Sequence, residues 1–361
     1  MHAFKSATEL RHLLHNKQIT ARDLLEEYLA RVDRYGAELN AIVWEDRKKA
    51  RMIADAIEPD DPRPLAGIPI TVKEAFDLAG SPTTLGVPEM RNNVAKHDSV
   101  VVTRLRDAGA NVFGKTNVPI GLGDLQSYNN IYGQTNNPWN LARTPGGSSG
   151  GSAAALASGL TGLEMGSDVG GSIRNPAHYC GVFGHKPTWS LVPTRGHAQP
   201  PGVLIEPDIG VVGPLARSAA DLDLALNVIA GPDVLARSVR YELPTLDGRR
   251  LKDLRVAVWA TDESSPVGSD TLAAVGAVAQ ALKDAGAKVD DSARPVMTSA
   301  EINSLFSRLV WSFSGAVVPQ VQFDHLRTEV QALASDDQSE RASVDAAHAG
   351  APPSGLGSSQ Q

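Results

Sequence analysis

The sequence predicts an α/β protein: a mixed, twisted sheet covered by helices on both faces. Three observations carry this. Amphipathic helical stripes fill the N-terminal region, short β-rich runs alternate with helical segments further on, and a helix–glycine–strand unit occurs twice, at Asp98–Phe113 and Ser269–Val289. Both units contain Asp-Ala-Gly-Ala, which is shared helix-stop chemistry and does not make a repeat protein.

The elements follow in chain order. Ser6-Ala7-Thr8-Glu9 reads as a capping box, after which Leu10, Leu13 and Leu14 fall on one helical face. Thr20 caps a second helix with the stripe Leu24, Leu25, Tyr28, Leu29 and Val32. A third runs from Asp46 to Ile57 and stops before Pro59. Gly67 to Val72 is a short β-rich run ending at Lys73, its Pro69 marking a strand start or an irregular edge. Asp98–Ala108 then reads as a helix, Gly109 as its stop and Ala110–Phe113 as a strand. Later, Arg255–Trp259 reads as a strand, Ser269–Ala285 as a helix stopped by Gly286, and Ala287–Val289 as a strand. One domain is expected over residues 1–334. Residues 335–361 are polar, with Pro352-Pro353 and a Gly/Ser/Gln end, and are expected to be a disordered tail.

Charge and composition narrow the function. The 34 basic and 41 acidic residues leave a formal charge of -7, which argues against a dedicated nucleic-acid partner. A single cysteine, Cys180, cannot form an intrachain disulfide or a cysteine metal cluster. No stretch stays apolar for about 18 residues, and the N-terminus lacks the apolar core of a signal peptide. A soluble cytoplasmic enzyme without membrane association, metal or cofactor is expected; a homo-oligomer is compatible with all of this.

Gly109-Ala-Asn-Val-Phe-Gly114-Lys115-Thr116 satisfies P-loop spacing. A phosphate-binding loop, however, needs a strand before its first glycine and a helix after its lysine. Here a helix precedes Gly109, and Asn117-Val118-Pro119 discourages one afterwards, so Lys115 reads as the end of a strand.

Glycine is concentrated: 12 of the 33 fall between Gly133 and Gly184, roughly three times average usage. Within that stretch Pro145-Gly146-Gly147-Ser148-Ser149-Gly150-Gly151-Ser152 runs directly into an alanine-rich helix former, so its serines lie at a helix N-terminus. They cap that helix, or the glycines let backbone approach a substrate. Asp168-Val169-Gly170-Gly171-Ser172-Ile173-Arg174 follows. Successive glycines before a serine either make an ordinary turn or align N–H groups as an oxyanion requires.

The ordered set from Gly67–Lys73 through Gly114-Lys115-Thr116-Asn117, Asn137-Pro138-Trp139, Gly146–Ser152 and Gly170–Arg174 resembles the amidase signature family, the Ser-cis-Ser-Lys amidohydrolases. The likeness continues through Pro176-Ala177, Cys180-Gly181, Lys186-Pro187-Thr188 and Gly213–Ser218, and is strong over about Leu65 to Leu224. It implies Ser172 as nucleophile, Ser148 as bridging serine and Lys73 as base, with an oxyanion hole from the backbone N–H groups of Val169, Gly170, Gly171 and Ser172. Ser149 is expected to help hold Lys73, and Asp168 and Arg174 to brace the loop. The chemistry is coherent, because a serine hydroxyl needs an adjacent base and lysine serves only where burial favours its neutral form.

Two residues depart from the family pattern: Glu74 where aspartate usually follows the lysine, and Val169 where threonine is usual. Both are expected to have small effects. The resemblance also implies a C-terminal portion of about a hundred residues, comparable with a small domain, beyond Phe306–Phe323, where this sequence has a polar tail.

The activity expected is hydrolysis of a small carboxamide to carboxylate and ammonia or amine through an acyl-serine. Two alternatives stand beside it. One is the amidotransferase-like, ammonia-generating component of a tRNA-amidating complex, although Ile120–Leu125 occupies the stretch where that subgroup resembles Glu-Phe-Ala-Met-Gly. The other is a catalytically silent, shortened family member. His178, His185 and His197 match no metal spacing and read as structural, and Cys180 as a packed small residue. Trp139 and Trp189 read equally as pocket lining or core.

Overall fold

The computed structural model describes residues 2–198, 208–234, 239–243, 248–263 and 265–316. They belong to two compact units, Met1–Tyr241 and Glu242–Gln361. The tail expected at 335–361 lies outside the described residues.

In the first unit, α1 (Ala7–His15) begins with the capping box read from the sequence, and α2 (Ala21–Leu39) is capped by Thr20. They are followed by β1 (Ile42–Glu45), α3 (Arg47–Asp55), β2 (Pro69–Lys73), α4 (Val100–Asp107) and β3 (Asn111–Thr116). A small antiparallel ribbon, β4 (Tyr128–Asn129) with β5 (Gly133–Gln134), precedes α5 (Gly150–Ala157). The unit continues with β6 (Glu164–Asp168), α6 (Arg174–Cys180), β7 (Phe183–Gly184), β8 (Val211–Ala216) and α7 (Ala219–Ile229).

Six of these strands form one sheet in the order β1-β3-β2-β6-β8-β7. β2 lies parallel to both neighbours, β3 and β6, while β1 and β8 run antiparallel to theirs, so the sheet is mixed as expected. The strand expected at Ala110–Phe113 extends to Thr116. Gly114 and Lys115 pair with Glu45 and Trp44 on one side and with Thr71 and Val72 on the other, and this pairing carries the strand through the apparent P-loop. Gly109 provides the turn at φ +90, and no phosphate loop forms.

Helices cover both faces. One core joins Leu10, Leu24, Leu25, Tyr28 and Leu105 to Ile70, Val72, Met165 and Val212 of the sheet. The other joins Ala153–Leu156, Ile173 and Cys180 to Leu215. Val212 and Leu215 of β8 therefore serve opposite cores, as strand alternation requires. Several glycines of the glycine-rich stretch serve close packing. A Cβ at Gly151 would lie 2.3 Å from the Asn117 nitrogen, and one at Gly166 would lie 2.7 Å from Ser149 Oγ. The N-terminus of α5 thus rests directly on the strand ends.

In the second unit, β9 (Arg255–Ala257) and β10 (Lys288–Asp290) pair in parallel, connected by α8 (Ser269–Asp284) with Gly286 in the left-handed region, and α9 (Ser299–Ala316) follows. This is the helix–glycine–strand unit read from the sequence.

Candidate active site

β2 is buried along its whole length and ends at Lys73. Its neighbour β6 ends at Asp168 and carries Ser167 just before it. Facing them is the turn into α5, where the Gly147–Ser148 peptide is cis and Ser148 is buried. Lys73 Nζ lies 2.6 Å from Ser148 Oγ and 2.9 Å from Ser167 Oγ. Burial without a direct carboxylate partner disfavours the ammonium, and pushes the Lys73 amine down from 10.5 to about 7 against the opposing pull of the Asp168 carboxylate.

Asp168 organises the loop that follows. Its carboxylate accepts from the N–H groups of Gly171 (2.8 Å), Ile173 (3.0 Å) and Arg174 (3.3 Å). The Arg174 guanidinium adds Nε at 3.0 Å and a terminal nitrogen at 2.9 Å, a bidentate pair. Burial alone would raise this carboxyl, but the Arg174 and main-chain donors outweigh it and hold Asp168 below its ordinary value.

Ser172 lies within this loop. Its carbonyl accepts from the Ser149 N–H at 3.1 Å, which joins the two serine-bearing segments, and its hydroxyl makes no hydrogen bond among the described residues. Of the four N–H groups considered for an oxyanion, that of Gly171 is engaged by Asp168. Those of Val169, Gly170 and Ser172 have no protein acceptor among the described residues.

Ser149 differs from the expectation. Its hydroxyl lies 3.4 Å from both the carbonyl and the N–H of Ser167, not on Lys73. The second oxygen on Lys73 comes from Ser167, which sequence reading passed over. The available signal was its place next to Asp168, on a strand bound to lead into the same loop.

Glu74 reaches away from the amine. Its carboxylate accepts from the Thr84 N–H (2.6 Å), the Thr84 hydroxyl (2.8 Å), the Leu85 N–H (2.9 Å) and the Tyr132 hydroxyl (3.2 Å). It therefore fixes the 84–85 loop beside the site. Lys115 is a second buried lysine; its Nζ donates to the Pro82 carbonyl and to Thr83 Oγ1, and burial lowers it to about 8.

The remaining candidates fall into place. Cys180 is buried, donates weakly to the Pro145 carbonyl, and its thiol is pushed up to about 12 by burial. His197 is buried edge-on against Phe76, His185 is lowered by burial, and His178 lies exposed beside Tyr179. No group of three or more His, Cys, Asp or Glu among the described residues is placed to hold a metal. Trp139 is 74% exposed and Trp189 47%, so neither belongs to the core.

The family model described as Amidase matches residues 23–347. The chain belongs to the amidase family. It is 34% identical over 299 residues to a Glutamyl-tRNA(Gln) amidotransferase subunit of Gloeobacter violaceus, covering 80% of this chain and 60% of that protein. It is 37% identical over 348 residues to AmiB2 of Mycobacterium bovis, an amidase by its name, covering 92% of this chain and 71% of that one. A bacterial aryl acylamidase of the amidase signature enzymes superposes with a TM-score of 0.77 at 26% identity, over 95% of this chain and 72% of that chain. This amidase-family chain thus spans about 60% of the length of the amidotransferase subunits it matches. No helix among its described residues is long and apolar enough to cross a membrane.

Proposed function

We propose that this chain hydrolyses a small carboxamide through an acyl-serine formed on Ser172. The observation that carries the proposal is the buried Lys73 amine, lowered to about 7 and 2.6 Å from Ser148 Oγ, on a turn joined through Ser149 to Ser172. Neutral Lys73 accepts the Ser148 hydroxyl proton as Ser148 accepts that of Ser172. The Ser172 oxygen bonds to the amide carbon, and the carbonyl oxygen becomes an oxyanion facing the N–H groups of Val169, Gly170 and Ser172. Return of the proton from Lys73 through Ser148 to the amide nitrogen accompanies cleavage of the C–N bond and release of ammonia or amine. Water then attacks the ester, gives its proton back along the same relay, and frees the carboxylic product and the Ser172 hydroxyl.

Gly171 contributes to this loop through Asp168, so three N–H groups rather than four serve the oxyanion. Asp168 and Arg174 hold the loop in shape, and Ser167 shares the positioning of Lys73 with Ser148.

The test is to treat the folded protein with a fluorophosphonate, locate the adduct by mass spectrometry, and assay ammonia release from aliphatic and aryl carboxamides. Labelling at Ser172, slowed strongly in Lys73→Ala, supports the reading. A folded, unlabelled protein overturns it and leaves a catalytically silent family member.

A second reading is supported by the similarity to amidotransferase subunits: the same chemistry would supply ammonia to a partner that amidates an aminoacyl-tRNA. It requires ammonia release that depends on added partner proteins. Release by the isolated chain decides against it, and with it against a nucleic-acid partner.

A further inference from the structure

We propose that Glu164 is a positioning residue for the Lys73–Ser148 pair, a buried carboxyl hydrogen-bonded to the strand that carries Lys73 and set beside the Thr116–Ser152 hydrogen bond that ties the neighbouring strand to the helix following Ser148. The proposal rests on the amidase reading for its kinetic consequence and on the geometry for its structural one.

Glu164 opens β6 and is fully buried. Thr71 Oγ1 donates to its Oε1, and the Met165 N–H lies 3.2 Å from its Oε2. The hydroxyls of Ser152 and Thr116 stand beside the carboxyl and hydrogen-bond each other at 2.9 Å. All three side chains are themselves buried, so none is solvated by bulk water.

Each contact leads to the site. Thr71 stands two residues before Lys73 on β2 and so points to the same face. Thr116 is the register partner of Lys73 on β3. Ser152 follows Ser148 by four residues, in the first turn of α5. The carboxyl therefore sits where the strand bearing the base, the strand beside it and the helix whose entry turn bears the bridging serine meet, bonded to the first and next to the bond that joins the other two.

The carboxyl is neutral for a physical reason. Its hydrogen-bond partners are the Thr71 hydroxyl and one main-chain N–H, neither of them charged, and an ionised carboxylate without a cation is costly in such a place. Burial accordingly raises it to about 8. As an acid, Glu164 offers one O–H donor beside its acceptor oxygens, which lets it both accept from Thr71 and donate to a neighbouring hydroxyl. Such a network holds its members only when all are satisfied.

The experiment compares Glu164→Gln, Glu164→Leu and Thr71→Val in the full chain. Two readouts are used: the titration of Lys73 followed by NMR of ¹³Cε-lysine, assigned with Lys73→Arg, and the rate of fluorophosphonate labelling at Ser172. Thermal melting confirms folding. Glutamine retains a neutral donor and acceptor, so Glu164→Gln keeps the Lys73 midpoint and labels at close to the unsubstituted rate. Glu164→Leu and Thr71→Val move the midpoint upward, toward an exposed lysine, and slow labelling by roughly ten- to a hundredfold, the scale of a small misplacement of reacting groups.

A folded Glu164→Leu that titrates and labels like the unsubstituted protein overturns the proposal. So does a Glu164→Gln as impaired as the leucine variant, since that would show a need for charge. If Glu164→Leu does not fold, Thr71→Val decides, because it deletes one hydroxyl and preserves shape. If the unsubstituted protein is not labelled at all, the amidase reading falls, while the Lys73 titration still decides the role of Glu164.

Discussion

The Ser149 N–H donates to the Ser172 carbonyl at 3.1 Å, so the two serine-bearing segments are joined by main chain and not by their hydroxyls. The side chain of the proposed nucleophile is thereby left out of the structural work of the loop. Ser172→Ala should fold with a stability within about 0.5 kcal/mol of the unsubstituted protein, as substitutions that break no buried contact do, while losing fluorophosphonate labelling. Denaturant melts alongside labelling check this. A large loss of stability would mean that the hydroxyl carries a contact of its own.

Lys73 makes both rate and stability depend on pH. If neutral amine is the reactive form, labelling rises through pH about 7 and levels off above it. For stability, the unfolded lysine holds its proton up to about 10.5, whereas the folded one releases it near 7. Between those values the unfolded state binds more protons, so the contribution of Lys73 becomes less favourable as pH falls across that window. Lys73→Met should therefore melt higher than the unsubstituted protein at pH 7, with the gap closing toward pH 10, and should be inactive. A gap that widens with pH would contradict the assigned direction.

Ser167 supplies one of the two oxygens on the amine. Ser167→Ala should lower kcat by about tenfold, equivalent to one lost hydrogen bond of roughly 1.4 kcal/mol, with little change in KM. Ser149→Ala, whose hydroxyl faces only main chain at 3.4 Å, should cost less. Steady-state kinetics on the two variants separate their roles.

Gly151→Ala would raise helix propensity by about 1 kcal/mol in an open helix. Here the new Cβ would meet the Asn117 nitrogen at 2.3 Å and the Ala41 carbonyl at 2.9 Å, both main chain. The variant should lose about 1–3 kcal/mol in urea melts, or fail to fold, because an overpacked site must displace the helix from the strands.

Much of this was legible in the sequence, and the exceptions share a cause. Helices with side-chain caps, such as those opened by Ser6 and Thr20, announce themselves locally, as do the stops at Gly109 and Gly286. Lys73, Ser148 and Ser172 were found through ordered motifs, not through spacing that would by itself bring them together. What escaped was set by pairing between distant segments. The strand read at Ala110–Phe113 runs on to Thr116 because partners on β1 and β2 continue it, and these lie far off in sequence, while Lys115 does stand at its end. Glu164 carries no local signature either, and Ser167 only its place beside Asp168; a strand of Glu, Met, Gly, Ser and Asp does not reveal which residue meets an amine and which meets a threonine.

The Asp168–Arg174 pair has a consequence for tuning. The carboxylate favours the ammonium form of Lys73, and the guanidinium, 55% exposed at its outer edge, offsets that negative charge. Arg174 is thus an adjustable counterweight, reachable from solvent, on an amine that is itself sealed from it. Changing the working pH of this centre would not require touching the amine at all; dimming one surface cation would shift it toward alkali.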